Sequence, residues 1–172
     1  ADHFTYKKKD VVCNYFWEDG QRFSAKADKE AFVKEAVNTF GEDEKTIRNY
    51  ITRNAEKYAI TNHVFLEKSL HKLSTYLSWA TFKSFLQMYK LHINKSLHKL
   101  NKQTFKSEKL VQLFDRYATY NGSDPYKTPG IMSIIPHLEM HFGTFFPNKG
   151  MHDISQSLTQ LAQRHGVDFV LN

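Results

Sequence analysis

The sequence predicts an α+β fold, mainly helical, with an N-terminal β-hairpin and short strands forming a small antiparallel or mixed sheet. Three observations predict it. Residues 11–17, VVCNYFW, and 22–27, RFSAKA, are rich in β-formers and flank the turn signal EDGQ around Asp19–Gly20. Apolar residues then recur at three- and four-residue steps through most of the chain. GTFFP at 143–147 and VDFVLN at 167–172 read as extended. The length, 172 residues, fits about one domain, and residues 1–172 are read as one. A chain of this size buries roughly 70% of the surface it exposes when unfolded, so no disulfide or metal staple is required.

Each element has its own signal. Asp28 is placed to cap a helix over KEAFVKEAVNTF, whose inner face carries Phe32, Ala36, Val37 and Phe40, and Gly41 stops it. The acidic run at 42–44 favours a new helix start, after which Ile47, Tyr50, Ile51, Ala55 and Tyr58 share a face. Between about 77 and 100, Phe82, Phe85, Leu86, Tyr89, Ile93, Leu97 and Leu100 form one stripe, with Lys83, Gln87, Lys90 and Asn94 off it. The spacing leaves open whether this is one helix or two. Further helices are expected from Ser107, over Ser133–Met140, and over 150–166, where Ile154, Leu158, Leu161 and Ala162 form the inner face and Gly166 the stop. The short strands near 143–147 and 167–171 are expected to join the hairpin in one sheet with helices on one side.

Composition bounds the chemistry. Lys plus Arg exceed Asp plus Glu by 24 − 18 = 6, and aromatics make up 15% of the chain. Such a surface serves nucleic acid, anionic lipid or solubility alone. None of the seven glycines stands two residues from another, which excludes G-x-G-x-x-G and Walker-type phosphate loops. The single cysteine, Cys13, forms no internal disulfide and suits a reducing compartment. No leader peptide is expected from the opening residues, and no apolar run approaches the length needed to span a bilayer.

Several shorter patterns have plain structural readings. SLHKL occurs at 69–73 and 96–100, but the flanks differ, so no repeat is assigned. HLEMH sets His137 and His141 one helical turn apart, a spacing zinc uses. Glu139, however, lies off their face and no third ligand is clear, so no metal is assigned. Asp115 and Arg116 are adjacent and read most simply as a structural ion pair. The stretch 77–100, with Trp79 and its lysines, has the composition of a helix that lies at a membrane surface. No Ser/His/Asp or Cys/His constellation can be assembled.

RYATYNGSDPYKTPG at 116–130 is neither a polar loop nor an aliphatic core element. Continued by IMSIIPHLEMHFGTFFPNKGMHDISQSLTQLAQRHGVDF, it resembles the phytoene desaturase family of flavin-dependent carotenoid dehydrogenases. That family carries RYATY-x-G-x-x-P, a PHLE helix and F-x-P-x-G-G-M in this order. FLEKSLHKLSTYLS at 65–78 is also similar to the family, and the resemblance runs over about residues 10–172. One departure is Lys149–Gly150, where the family usually has two glycines.

The resemblance implies the substrate domain of an amine-oxidase-like flavoprotein, without the N-terminal Rossmann and C-terminal segments that hold FAD in the longer enzyme. It implies a carotenoid precursor such as phytoene as substrate, the rest of the same polypeptide as partner, and a cytoplasmic enzyme peripherally attached to a membrane surface. A polyene offers no hydrogen-bonding groups, so its site is apolar, concave and largely preformed. Arg116, Tyr117, Tyr120, Tyr126, Phe145 and Phe146 are the substrate-binding candidates, and Pro147, Gly150 and Met151 the cofactor-adjacent ones. No catalytic base is assigned. By itself this chain is expected to be inactive and to hold no FAD. The alternatives are a basic helical nucleic-acid-binding module, whose binding would fall steeply with salt, and a related carotenoid or retinoid saturase, isomerase or ketolase. No nucleic-acid partner is expected on the leading reading.

Overall fold

The computed structural model describes residues 4–62 and 79–170. The stretch 65–78 and the first SLHKL copy lie outside them. Strands β1 (Tyr6–Lys9), β2 (Val11–Phe16) and β3 (Arg22–Lys26) lead into helices α1 (Lys29–Phe40) and α2 (Glu44–Thr61). Helices α3 (Trp79–Leu86), α4 (Leu97–Thr104), α5 (Glu108–Asp115) and α6 (Ile134–Phe142) follow, then β4 (Thr144–Pro147) and α7 (His152–Arg164). The α+β class is as the sequence predicts. The sheet is not a single one: β2 pairs with β3 and β1 pairs with β4, each antiparallel and each two-stranded.

The hairpin forms where expected. Gly20, at φ 82°, donates to the Trp17 carbonyl and Trp17 to that of Gln21, closing the turn. The Asp28 carboxylate caps α1 through the Ala31 N–H, and Gly41 ends the helix in the left-handed conformation at φ 65°. Asp43 repeats the capping for α2 through the Thr46 N–H. Glu42 between them is buried and accepts the N–H groups of Lys106 (2.7 Å) and Ser107 (3.1 Å). One carboxylate thus ties the α1–α2 corner to the α4–α5 corner.

The core is aromatic. Phe23 from β3, Phe32 from α1, Tyr50 from α2, Phe105 and Phe114 interlock, with centroids 5.5 Å apart for Phe23–Phe32, 4.6 Å for Tyr50–Phe114 and 5.1 Å for Phe105–Phe114. Leu110, Val111, Leu113, Ile47 and Ile51 fill the spaces. A hydrogen-bonded chain of polar groups enters it: the Tyr50 hydroxyl donates to Asn101 Oδ1, and Asn101 Nδ2 donates to Asp115 Oδ1.

Three expectations are corrected. The apolar stripe over 77–100 does not stay on one face. Helix α3 gives way to a 3-10 turn over Met88–Leu91, and His92 takes the left-handed conformation at φ 53° before α4 begins. Leu97 and Leu100 are consequently buried, whereas Leu86, Tyr89 and Ile93 face solvent. Residues 167–170 form no strand and join neither sheet. The apolar face of α7 is not an inner face either: Ile154, Leu158 and Leu161 are exposed.

A strand the sequence reading missed explains β4. Residues 6–9, YKKK, pair with 144–147 in the register Tyr6↔Pro147 through Lys9↔Thr144. Charge masked the signal, because β1 is mostly exposed and needs no apolar alternation. Gly143 launches β4 at φ 96°, ψ 173°, a region that only glycine adopts freely.

Candidate functional site

The segment 116–130 is built in two parts. After α5, residues Arg116–Asn121 tighten into a 3-10 turn that Gly122 ends at φ 66°. Residues 125–130 are then fastened to the start of α4 by three backbone bonds. Leu97 N–H donates to Thr128 O (2.7 Å), His98 N–H to Pro125 O (3.0 Å), and Gly130 N–H to Lys95 O (2.7 Å). A side chain at Gly130 would lie 3.0 Å from the His92 carbonyl oxygen, so glycine permits this close approach.

The 3-10 turn assembles an aromatic cluster around one cation. The Arg116 guanidinium carbon lies 4.7 Å from the Tyr117 ring centroid, 5.6 Å from Tyr120 and 5.5 Å from Tyr15, within cation–π range of all three. Arg116 Nε also donates to the Tyr15 hydroxyl at 2.6 Å. Tyr117 and Tyr120 stack at 5.8 Å with planes 17° apart. Both phenols donate to the carboxyl of Glu139 on α6, Tyr117 at 2.7 Å to Oε2 and Tyr120 to Oε1.

Burial sets the electrostatics of this cluster. Desolvation pushes the Glu139 carboxyl above the ordinary range, only partly opposed by the Tyr117 hydrogen bond and the Arg116 charge. Desolvation likewise raises Tyr117 well above the usual phenol value and Tyr15 to about 12. The cluster therefore holds both phenols protonated and keeps one carboxyl easily protonated. Two members of the cluster are not among the substrate candidates that the sequence indicates: Tyr15, which arrives from β2, and Glu139, which the sequence presents only within HLEMH. His137 and His141 stack on each other at 5.2 Å. Asp115 and Arg116 are not partners: Asp115 turns to His98 Nδ1 (2.6 Å) and Asn101, and Arg116 to the rings.

The remaining candidates lie elsewhere. Tyr126 packs on the His98 ring at 4.2 Å. Phe145, Pro147 and Met151 line an apolar groove of ≈350 Å3 together with Phe4, Tyr6 and Ile154. Phe145 meets Tyr6 edge-on at 5.4 Å. Phe146 alternates to the opposite face of β4, where the Lys9 ammonium sits 5.4 Å from its centroid. Gly150, at φ 89°, turns the chain from β4 into α7, with open space where a side chain would point.

The groove is walled by flat rings and aliphatic side chains, so it suits an apolar ligand with an extended face. It is not a phosphate cradle, since none of the described glycines forms a phosphate loop.

No family model matches the chain. Among curated proteins, it is 53% identical over 166 residues to the 1-hydroxycarotenoid 3,4-desaturase of Flavobacterium sp. (strain P99-3), a match covering 96% of this chain and 34% of that protein. It is 33% identical over 124 residues to the 4,4'-diapophytoene desaturase (4,4'-diaponeurosporene-forming) of Staphylococcus aureus (strain Newman), covering 72% of this chain and 24% of that protein. The chain is thus a relative of carotenoid desaturases and spans about a third or less of their length. It corresponds to a part of a phytoene desaturase-family protein, as its motifs imply.

Proposed function

We propose that the chain is the substrate-binding region, one domain over residues 1–172, of a flavin-dependent carotenoid desaturase with an amine-oxidase-like architecture. The observation that carries this reading is the apolar groove on the segment bearing the family motif, where Phe145, Pro147 and Met151 converge with Phe4, Tyr6 and Ile154. A polyene gains affinity only from buried apolar area and ring contact, and these side chains offer both.

FAD fits the site in part. The rings and Met151 suit the apolar face of a flavin, while the pyrophosphate requires a cradle supplied by the rest of the same polypeptide. When bound, a flavin supplies the hydride acceptor for dehydrogenation. The residues of this chain orient the polyene: Phe145 and Pro147 form the wall and Met151 adapts to the ligand, while Arg116, Tyr117, Tyr120 and Glu139 tie the 3-10 turn of the motif segment together. Tyr126 and Phe146 are exposed but do not line the groove: Tyr126 packs on the His98 ring and Phe146 lies on the opposite face of β4. Because the substrate dissolves in the bilayer, the enzyme works as a peripheral membrane protein on the cytoplasmic side. In agreement, no described helix is long and apolar enough to cross a membrane.

The test uses the full-length enzyme loaded with FAD and a carotenoid precursor in detergent micelles, read by the red shift of absorption as conjugation lengthens. Phe145→Ser with Met151→Ser is expected to raise KM at least tenfold when turnover is normalised to bound flavin. Unaltered turnover by the double variant would overturn the assignment.

A further inference from the structure

We infer that helix α3 and the 3-10 turn after it form the surface by which the protein docks on an anionic phospholipid bilayer. This rests on the reading above that the enzyme works at a membrane, and it names the contact surface and the lipid class.

Two independent observations converge here. The first is exposure. Trp79, Leu86, Tyr89 and Ile93 are 78%, 64%, 77% and 47% exposed, on consecutive elements of one short segment. The left-handed turn at His92 stands between Trp79, Leu86 and Tyr89 and the buried Leu97 and Leu100, and Ile93, just after the turn, also stays outside the core. A break in the helix has split an apolar stripe into a buried half and an outward half.

The second observation is charge. From Trp79 to Ser107 the sequence holds no Asp or Glu, but it has six lysines and two histidines. Within the outward half, Lys90 and Lys95 flank Tyr89 and Ile93. Next to it, Lys99, Lys102 and Lys106 are exposed, with Lys102 paired to Glu108. Indole, phenol and leucine side chains amid lysines are the composition of the bilayer interface, where rings sit at headgroup depth and ammonium groups reach lipid phosphates. The uniform sign selects an anionic leaflet, each nearby lysine raising partitioning about fivefold. Nucleic acid would use the lysines but leave Leu86 and Ile93 without a role.

Flotation with vesicles of phosphatidylcholine and phosphatidylglycerol tests this, on both the 172-residue chain and the full-length enzyme. The parent is expected to float with these vesicles and far less with pure phosphatidylcholine. Lys90→Glu with Lys95→Glu should reduce binding at least tenfold, and Leu86→Ser with Tyr89→Ser and Ile93→Ser should reduce it comparably even at high salt. In the 172-residue chain with Trp17→Phe, Trp79 is the sole indole, and its emission should be quenched by brominated lipid. Undiminished flotation of both variants, or tighter binding to duplex DNA than to vesicles, overturns the docking surface. Should the serine variant lose its circular dichroism, the charge-reversed pair and the Trp79 quenching decide. Turnover in detergent micelles, which needs no vesicle, should be unchanged in the charge-reversed pair. Loss of vesicle binding with intact micellar turnover is therefore distinct from failure of the desaturase reading.

Discussion

Glu139 and Tyr117, 22 residues apart in the chain, meet at 2.7 Å where α6 crosses the 3-10 turn, the buried phenol donating to Oε2 of a carboxyl that desolvation makes harder to ionise. A carboxyl whose pKa is raised on folding contributes stability that is full below its unfolded value, near 4.3. That contribution is lost as pH rises through the folded value. Glu139→Gln should therefore flatten the decline in stability between about pH 4 and neutrality relative to the parent. Urea midpoints measured across that range check it, and parallel curves for the two proteins would count against a buried carboxyl.

Lys57 gives the opposite sign. Its ammonium donates to Ser133 Oγ at 2.7 Å, and burial pushes its pKa down to about 8. Between there and the ordinary lysine value the unfolded chain holds more protons, so stability should rise with pH across this window. Lys57→Met should remove the rise and stabilise the protein at pH 7 by up to about 3 kcal/mol. Thermal melts at pH 7 and pH 9.5 separate these outcomes.

Arg116 is the tie between the hairpin and the 3-10 turn. Arg116→Lys keeps the charge but loses the planar group that lies near three rings while its Nε reaches Tyr15. The expected cost is about 1–2 kcal/mol, with faster amide exchange in β2. Unchanged exchange there would show that the hairpin is held by the Phe23 side alone.

Gly143→Ala forces a side chain into φ 96°, ψ 173°, beside Lys8. The lysine can swing away, but the backbone cannot. A loss of about 1–3 kcal/mol is expected, together with loss of amide protection in β1 and β4 and unaltered protection in β2 and β3. Equal loss in both sheets would contradict their independence.

Flavin binding checks the division of labour between this chain and its remainder. Titrating FAD into the purified 172-residue chain should give no saturable binding, because its glycines form no phosphate loop. Near-unit stoichiometry of bound flavin would overturn that expectation.

The sequence by itself determined the elements whose causes are local. The hairpin followed from the turn residues around Gly20, and α1 from the Asp28 cap and the Gly41 stop. The inner faces of α1 and α2 followed from 3.6-residue periodicity, and Phe32, Ile47, Tyr50 and Ile51 are indeed buried. The resemblance to carotenoid desaturases was equally legible, and the relatives bear it out. Only the tertiary structure decided what depends on partners distant in sequence. It gave Glu139 to Tyr117 and Tyr120, Tyr15 to Arg116 and Asp115 to His98, since hydrogen bonds between distant residues leave no periodic trace. It paired YKKK with TFFP, because a strand exposed on both faces has no alternation to read. It also broke the stripe at His92, where burying Leu97 and Leu100 while leaving Tyr89 and Ile93 outside required the chain to turn. Periodicity records which residues are apolar; where the core lies, and so which of them it takes, is fixed only when the elements pack together.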